Sequence, residues 1–166
     1  DLSRGLGDVY KRQVQDIENQ DRKYEMRNLD GGILVQQENN DILKIDELKV
    51  VTNTKPTEDT IKSMLFGWQV LKHVKSNAII TVKDTTTVGI GAGQVSRIDA
   101  VDIAISKSKA AIKGSILCSD AFFPFRDSID KISQYNINGV IQPGGSIKDN
   151  EVIDACNCLL YTSPSP

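Results

Sequence analysis

Short apolar runs and helix-spaced apolar residues alternate along the middle of this 166-residue chain. Residues 78–82 (AIITV) form a continuous apolar run, which predicts a strand buried on both faces. Residues 115–118 (SILC) and 139–142 (GVIQ) predict two further strands. Nearer the start, residues 33–37 and 49–52 predict two more extended segments.

Apolar residues between these strands recur at the spacing of an α-helix. The first helix is predicted to start at Pro56 and Thr57, with Thr57 as its N-cap, and to run to about Lys75. Its apolar face consists of Ile61, Met64, Leu65, Trp68, Leu71 and Val74. Later helices are predicted to begin at polar residues that suit an N-cap: Ser96, Asp127 or Ser128, and Asp149 or Asn150. The alternation predicts a layered α/β domain with a largely parallel central sheet.

Composition and charge are those of an ordinary globular domain. Hydrophobic residues make up 39% of the chain, charged residues 25%, and the net charge is −2. No basic run indicates nucleic acid or an anionic membrane as a partner, and no apolar stretch approaches the roughly 20 residues of a spanning helix. Cys118, Cys156 and Cys158 fit neither a disulfide framework nor a zinc site. These features predict a reduced, cytoplasmic protein.

Three motifs rich in glycine, proline and polar residues follow predicted strands. They are residues 88–97 (VGIGAGQVSR), 119–127 (SDAFFPFRD) and 141–146 (IQPGGS). Ligands of open α/β sheets bind beyond the carboxyl ends of the strands, so these motifs are expected to converge. A fourth motif, residues 75–79 (KSNAI), precedes its strand. The pattern alone therefore places the fourth motif at the opposite edge of the sheet.

The glycines of residues 89–93 match a dinucleotide-binding fingerprint only in part. The third glycine of G-x-G-x-x-G would fall on Gln94 or on Ser96. A Rossmann oxidoreductase is therefore a weak alternative, which would require specific NAD binding. Without Cβ atoms, these glycines allow the backbone to approach a ligand or another strand closely.

In their order and spacing, the four motifs resemble the C-terminal part of a formyltransferase domain. That domain belongs to the bifunctional purine-biosynthesis family, which joins a phosphoribosylaminoimidazole-carboxamide (AICAR) formyltransferase to an inosine monophosphate cyclohydrolase. The resemblance runs from about Gln15 to Cys156, and residues 119–127 are its most specific part. It assigns residues 14–158 to this domain. Residues 1–13 and 159–166 resemble translated sequencing-adapter sequence, the alternative being ordinary disordered tails.

The resemblance implies a fold, an activity and partners. The fold is a cytidine-deaminase-like three-layer α/β/α sandwich, present here as a partial domain. The reaction transfers a formyl group from 10-formyltetrahydrofolate, the co-substrate, to AICAR, and its chemistry requires no metal. Family members are homodimers with sites at the subunit interface, and the isolated fragment is expected to be inactive. The alternative is a non-catalytic nucleotide- or folate-binding module on the same scaffold.

The resemblance also implies roles for five residues. Asn77 faces the reacting amine as the catalytic residue and also contacts AICAR, as does Arg97. Phe122 stacks within the combined nucleotide and folate site, where Asp127 contacts the pterin ring and Ser146 borders the folate. Asn77 could orient the amine or stabilise the oxyanion of the tetrahedral intermediate, because an amide both donates and accepts hydrogen bonds. Both alternatives stay open at this point.

Each of these residues has an ordinary structural interpretation as well. Arg97 could pair on a helix surface, and Asn77 could form a turn between a helix and a strand. Phe123 and Phe125 either pack under the following helix or line the site. Asp120 is expected to be structural.

Lys72 and His73 reproduce the residue types of the family's catalytic lysine–histidine pair, but not its position. By resemblance, that pair belongs to a Phe-Lys-His segment upstream of the matched region. A histidine in the last turn of a helix is also favoured by the helix dipole. His73 is therefore not expected to be catalytic.

Overall fold

The computed structural model describes residues 24–159 and the backbone of residues 164–165. The chain divides into two compact units, Asp1–Asp41 and Ile42–Pro166. The predicted foreign segment at residues 1–13 lies outside the described residues. Of the one predicted at residues 159–166, the structure describes only Leu159 and the backbone of Pro164–Ser165.

The described part of the first unit is an antiparallel hairpin. Strand β1 (Tyr24–Leu29) pairs with β2 (Gly32–Gln37), which confirms the strand predicted at residues 33–37. The turn uses Gly31 at φ +79°, a backbone conformation that glycine adopts without steric cost. Every residue of both strands is exposed.

The second unit contains a four-stranded mixed sheet. Its strands are β4 (Ile79–Lys83), β5 (Thr86–Gly91), β6 (Ile116–Ser119) and β7 (Gly139–Ile141), in the order β5-β4-β6-β7. A separate pair joins β3 (Lys49–Val50) to β8 (Pro164–Ser165). The helices are α1 (Glu58–Leu71), α2 (Arg97–Ser108), α3 (Asp127–Ile132) and α4 (Asp149–Cys158). Short 3-10 helices occur at Ile45–Glu47, Lys109–Ile112 and Ser133–Tyr135.

The prediction of a largely parallel sheet is wrong for the pairing of neighbouring strands. Strand β4 is antiparallel to both of its neighbours, β5 and β6, so that β5, β6 and β7 run in one direction, but only β6 and β7 are paired in parallel within the described sheet. The reason lies in the connection between β4 and β5, where Lys83 pairs with Thr86 across a two-residue turn. A two-residue turn can join only antiparallel strands, whereas a parallel pair needs a long crossover. Such a crossover, through α3, joins the paired strands β6 and β7.

Most predicted helix starts are confirmed because they depend on local hydrogen bonds. The Thr57 side chain accepts from the Thr60 N–H, and Ser96 caps α2 in the same way through Asp99. Helix α4 begins at Asp149 as predicted, but α1 ends at Leu71, earlier than expected. Neither residue predicted to cap α3 does so, because Asp127 is already the first helical residue.

Helices cover both faces of the sheet. On one face, α1 packs its buried Met64 and Leu71 with strand residues that include Ile80 and Ile116. The other face carries the larger cluster. Strands β4, β6 and β7 contribute the side chains of Ile79, Leu117 and Val140 to it. Helices α2, α3 and α4 contribute the side chains of Ala100, Val101, Ala104, Ile105, Ile129, Ile132, Val152, Ala155 and Cys156. The layered α/β architecture predicted from the sequence is therefore confirmed.

Candidate functional site

The amino end of β4 lies beside the carboxyl ends of β5 and β6. Ile79, the first residue of β4, pairs with Gly91 at the end of β5 and with Ser119 at the end of β6. Asn77 therefore lies at the same edge of the sheet as the loops that follow β5 and β6. The expectation that residues 75–79 lie at the opposite edge is wrong, because it assumed a parallel sheet.

Arg97 joins the segments that meet at this edge. Its Nη2 donates to Asn77 Oδ1 at 2.8 Å, and its Nη1 donates to Ser119 Oγ at 2.9 Å and to Asp120 Oδ1 at 2.6 Å. The side chains of Arg97 and Asp120 are only 11% and 13% exposed, so this ion pair is largely buried rather than on a helix surface. Asn77, Arg97, Ser119 and Asp120 are called the Arg97 cluster below.

The amide of Asn77 is fully engaged as a donor. Its Nδ2 donates to the carbonyl oxygens of Gln94 at 2.9 Å and Val95 at 3.0 Å. Its backbone N–H also donates to Gln94 O at 3.2 Å, and the peptide bond between Ser76 and Asn77 is cis. These partners lie 17 and 18 positions further along the chain, so they are not the local turn bonds that the structural interpretation of Asn77 predicted. Its Oδ1 faces Arg97, and a carbonyl oxygen has two lone pairs, of which Arg97 uses one.

Asp120 carries the negative charge of the cluster. Burial alone would raise the pKa of its carboxyl, but the Ser76 hydroxyl, the Arg97 guanidinium and the Ala78 backbone act in the opposite direction, and the net shift of the pKa is downward. Asp120 Oδ2 is buried and makes no hydrogen bond within the described part of the chain. The carboxylate therefore stays ionised beside Arg97 at neutral pH.

The glycines of β5 serve packing against a helix. A Cβ on Gly91 would lie 2.0 Å from the carbonyl oxygen of Ala100, and one on Gly89 would lie 2.2 Å from that of Ala104. Both carbonyls belong to α2, so the two glycines allow α2 to lie directly on β5. The close approach expected for this run is real, but the neighbour is a helix rather than a ligand or a strand. This packing places Arg97, at the start of α2, against the sheet edge.

The aromatic run after β6 separates into buried and exposed residues. Phe123 is fully buried in the core, whereas Phe122 is 40% exposed and Phe125 is 51% exposed. The Lys148 ammonium lies 4.4 Å from the centre of the Phe125 ring, a cation–π contact with the start of α4. Of the two interpretations kept for these residues, core packing describes Phe123 and does not describe Phe125.

The side chains of Asp127 and Ser146 form hydrogen bonds with near neighbours in the chain. Asp127 Oδ1 accepts from the N–H of Ser128, and Ser146 Oγ accepts from the N–H of Lys148 at 3.1 Å. Within residues 24–159, neither side chain forms a hydrogen bond with the Arg97 cluster. The exposed Phe122, Phe125 and Asp127, together with the half-buried Ser146, are called the exposed rim below.

Sequence reasoning missed the role of Gln142. Gln142 is predicted only as the end of a strand and as part of the motif at residues 141–146, but its side chain is only 4% exposed and its Oε1 accepts from the backbone N–H of Phe123 at 2.7 Å. The bond links the loop after β7 to the loop after β6. The available signal was a polar residue at the end of a buried strand, where an unpaired amide would be costly.

Comparison with known protein families identifies the family of this chain. The sequence profile of the AICARFT/IMPCHase bienzyme family matches residues 10–107, which is more than half of the chain. The chain belongs to this family. Membership confirms the family that the four motifs indicated.

Curated relatives in this family are similar over most of the chain. The bifunctional purine biosynthesis protein PurH of Persephonella marina is 49% identical over 147 residues, which cover 85% of this chain and 28% of that protein. PurH of Aquifex aeolicus is 48% identical over 137 residues, with 81% and 27% covered. This AICARFT/IMPCHase chain thus spans little more than a quarter of the length of these relatives. A solved structure, Acinetobacter baumannii RibD form 2, aligns at 11% identity with a TM-score of 0.46, covering 64% of this chain and 35% of that one.

The described residues also lack a metal-holding cluster and a long apolar helix. No group of three or more His, Cys, Asp and Glu side chains there is arranged to hold a metal ion. No helix in the described ranges has the length and apolar character needed to cross a membrane. Burial raises the pKa of the Cys156 thiol to about 12 and that of Cys118 even further, so neither thiol is ionised at neutral pH.

Proposed function

We propose that this chain forms the C-terminal part of an AICAR formyltransferase domain within a bifunctional enzyme of purine biosynthesis that also has inosine monophosphate cyclohydrolase activity. The observation that carries the proposal is the Arg97 cluster, in which two residues matched to the substrate site, Asn77 and Arg97, are joined by a 2.8 Å hydrogen bond. Membership of the AICARFT/IMPCHase family supports the same reaction.

The reaction sets a clear chemical requirement. The amine nitrogen of AICAR attacks the formyl carbon, the bond from that carbon to N10 of the folate breaks, and the amine loses one proton while N10 gains one. The amine is a weak nucleophile because its lone pair is delocalised into the imidazole and carboxamide. The enzyme must therefore orient the amine, assist removal of its proton and stabilise the oxyanion.

The hydrogen bonds of Asn77 support the orienting role over the oxyanion role. Stabilising an oxyanion requires a free donor, and both Nδ2 hydrogens already bond the carbonyls of Gln94 and Val95. Its Oδ1 keeps one lone pair, which can accept a hydrogen bond from an amine N–H. Asn77 would thus fix the direction of the amine lone pair, while proton removal is assigned to residues upstream of the matched region.

Arg97 is suited to bind the nucleotide. A guanidinium has five N–H donors, of which three bond Asn77, Ser119 and Asp120, so two remain for substrate. Because the three bonds fix the guanidinium, little side-chain entropy is lost when AICAR binds. In the exposed rim, the free face of Phe122 can stack on a flat heterocycle, and Asp127 can accept from the aminopyrimidinone edge of 10-formyltetrahydrofolate.

The finer assignments of fold and assembly belong to the same proposal. We assign the second unit to the cytidine-deaminase-like α/β/α sandwich, supported by the β5-β4-β6-β7 order and by helices on both faces. The full-length enzyme would act as a cytoplasmic homodimer whose sites lie at the subunit interface. The isolated chain would be inactive, since the proton-transferring residues lie elsewhere.

Formyl transfer by the full-length protein tests the proposal. Purified enzyme is mixed with AICAR and 10-formyltetrahydrofolate, and release of tetrahydrofolate is followed by absorbance. Wild type should turn over, Arg97→Ala should be strongly impaired, and Arg126→Ala, which removes an exposed arginine paired with Asp130, should behave like wild type. Binding of both ligands without transfer would instead favour the non-catalytic binding module.

A further inference from the structure

Gln142 connects the two loops that carry the exposed rim. It directly follows β7, and its Oε1 accepts from the Phe123 N–H at 2.7 Å in the loop after β6. The parallel pairing of β6 and β7 makes this bond possible, because both strands send their loops out at the same edge. The bond is buried, as are both of the residues that form it.

Phe123 is consequently fixed by two independent contacts. Its ring lies in the core, and its N–H is tied to Gln142. Phe122, one residue earlier, has no such burial and is 40% exposed. The position of the Phe122 ring therefore depends on how its neighbour is held.

We propose that Gln142 is a positioning residue that acts through Phe123 to hold the Phe122 ring ready to stack on the flat heterocycle of a substrate. The inference rests on the proposed function, and it adds a residue that was predicted only as the end of a strand and as part of a motif. Gln142 itself touches no substrate in this scheme. Its contribution is the acceptor that keeps the Phe123 N–H paired.

The acceptor can be removed without changing the size of the side chain. Gln142→Met keeps a similar volume but leaves the Phe123 N–H buried and unpaired, whereas Gln142→Glu keeps an acceptor oxygen. Gln69→Met makes the same chemical change at an exposed position of α1 and serves as the matched control. Methionine and glutamine have similar helix propensities, so this control should fold normally.

Steady-state kinetics of the full-length enzyme test the role. Gln142→Met should raise the KM of the substrate that stacks on Phe122 by about 3- to 10-fold, the range expected for an aromatic stacking contact, with a smaller change in kcat. Separate KM values for AICAR and 10-formyltetrahydrofolate show which heterocycle stacks. Gln142→Glu should restore most of the affinity, and Gln69→Met should match wild type.

A double-mutant cycle separates positioning from general destabilisation. If Gln142 acts through Phe122, Gln142→Met should add less than about twofold to the KM once Phe122→Ala is already present. Effects that multiply independently in the double variant would overturn the inference. An unchanged KM in a folded Gln142→Met enzyme would overturn it as well.

Hydrogen–deuterium exchange provides a readout that does not depend on catalysis. Loss of the acceptor should speed exchange in residues 120–126 of Gln142→Met and leave the strand Ile79–Lys83 protected. If the wild-type enzyme showed no formyl transfer, the proposed function would be refuted. The exchange result would still show whether Gln142 holds the loop after β6. Unaltered exchange in residues 120–126 would refute that hold.

Discussion

The Arg97 cluster and the exposed rim lie on loops at one edge of the same sheet, yet they hold their side chains in different ways. In the cluster, a single guanidinium bonds residues from the start of β4 and the end of β6, and its ion pair with Asp120 is almost entirely buried. In the rim, the side chains of Asp127 and Ser146 accept hydrogen bonds from residues one and two positions further along the chain.

The difference follows from strand direction and burial. Antiparallel pairing of β4 with β5 and β6 brings three chain segments to one point, so the cluster is fixed before any substrate arrives. The rim lies on the loops after β6 and β7 and on the first residue of α3. Fixed dipoles and charges are the groups that catalysis requires in advance, whereas a stacking surface can tolerate adjustment. The cluster is therefore expected to control turnover and stability, and the rim to control affinity.

The largest effect should come from breaking the buried ion pair. Arg97→Ala leaves Asp120 as an unpaired buried charge and should lower the free energy of unfolding by about 3–5 kcal/mol. Arg126→Ala breaks the exposed Arg126–Asp130 pair and should change it little. Urea denaturation of the full-length protein, followed by circular dichroism, measures both. An equal loss of unfolding free energy in both variants would show that the buried Arg97–Asp120 pair and the exposed Arg126–Asp130 pair contribute equally to stability.

Two glycines offer a second test of the same contrast. Gly91→Ala would place its Cβ 2.0 Å from the Ala100 carbonyl and should destabilise the protein by about 3 kcal/mol, since neither backbone can easily move. Gly145 lies in the loop after β7 at φ +109° with open space around it, so Gly145→Ala should cost about 1 kcal/mol from backbone strain alone. The same denaturation measurement applies. A larger loss for Gly145→Ala would contradict the packing of α2 on β5.

Turnover provides the third test. Asn77→Ala removes the acceptor that we propose orients the amine, and it should lower kcat by about 10²-fold with little change in the KM for AICAR. Ser146→Ala, in the rim, should change kcat by less than about threefold. Asn150→Ala, at an exposed position of α4, is the matched control. An unchanged kcat in Asn77→Ala would remove Asn77 from the catalytic site.

The sequence was informative wherever a feature depends on near neighbours. The strand at residues 78–82 is recognisable from its own apolar run, and the Thr57 cap is recognisable from the residues of its own helix. Strand direction was not predictable in that way. Strand direction depends on which strands pair, and the two-residue turn after Lys83 sets the direction of β5 relative to β4 only because those two strands pair.

The residues of the site were predictable from the sequence, but the contacts between them were not. Resemblance assigned Asn77 and Arg97, but their hydrogen bond spans 20 positions along the chain and exists only because β4 is antiparallel to its neighbours. Gln142 and its partner Phe123 N–H are 19 positions apart, and a backbone N–H leaves no mark in the sequence. A run of apolar residues identifies a buried strand and its end. It does not show which group a polar residue at that end will hydrogen-bond.

A smaller effect is expected from pH. The pKa of Asp120 is lowered in the folded protein, so its contribution to stability is complete above the ordinary carboxyl pKa near 3.9 and is lost as pH falls through the folded value. The hydrogen bond from Arg126 lowers the pKa of Asp130 too, but that pair is exposed and should be screened by salt. Urea unfolding from pH 7 to pH 3 should show the Asp120→Asn difference shrinking with acid at both low and high salt. A difference independent of pH would contradict the ionised state of Asp120.

His73 should have the smallest effect of all on activity. It lies in the turn after α1, where its N–H donates to the carbonyl of Val70 at 3.1 Å and its side chain is exposed. Neither the Arg97 cluster nor the exposed rim includes it. His73→Phe should therefore leave kcat and both KM values within about twofold of wild type, since a general acid or base would be worth about 10²–10⁴-fold. A loss of that size in a folded variant would place the proton-transferring group in this turn, outside both regions compared above.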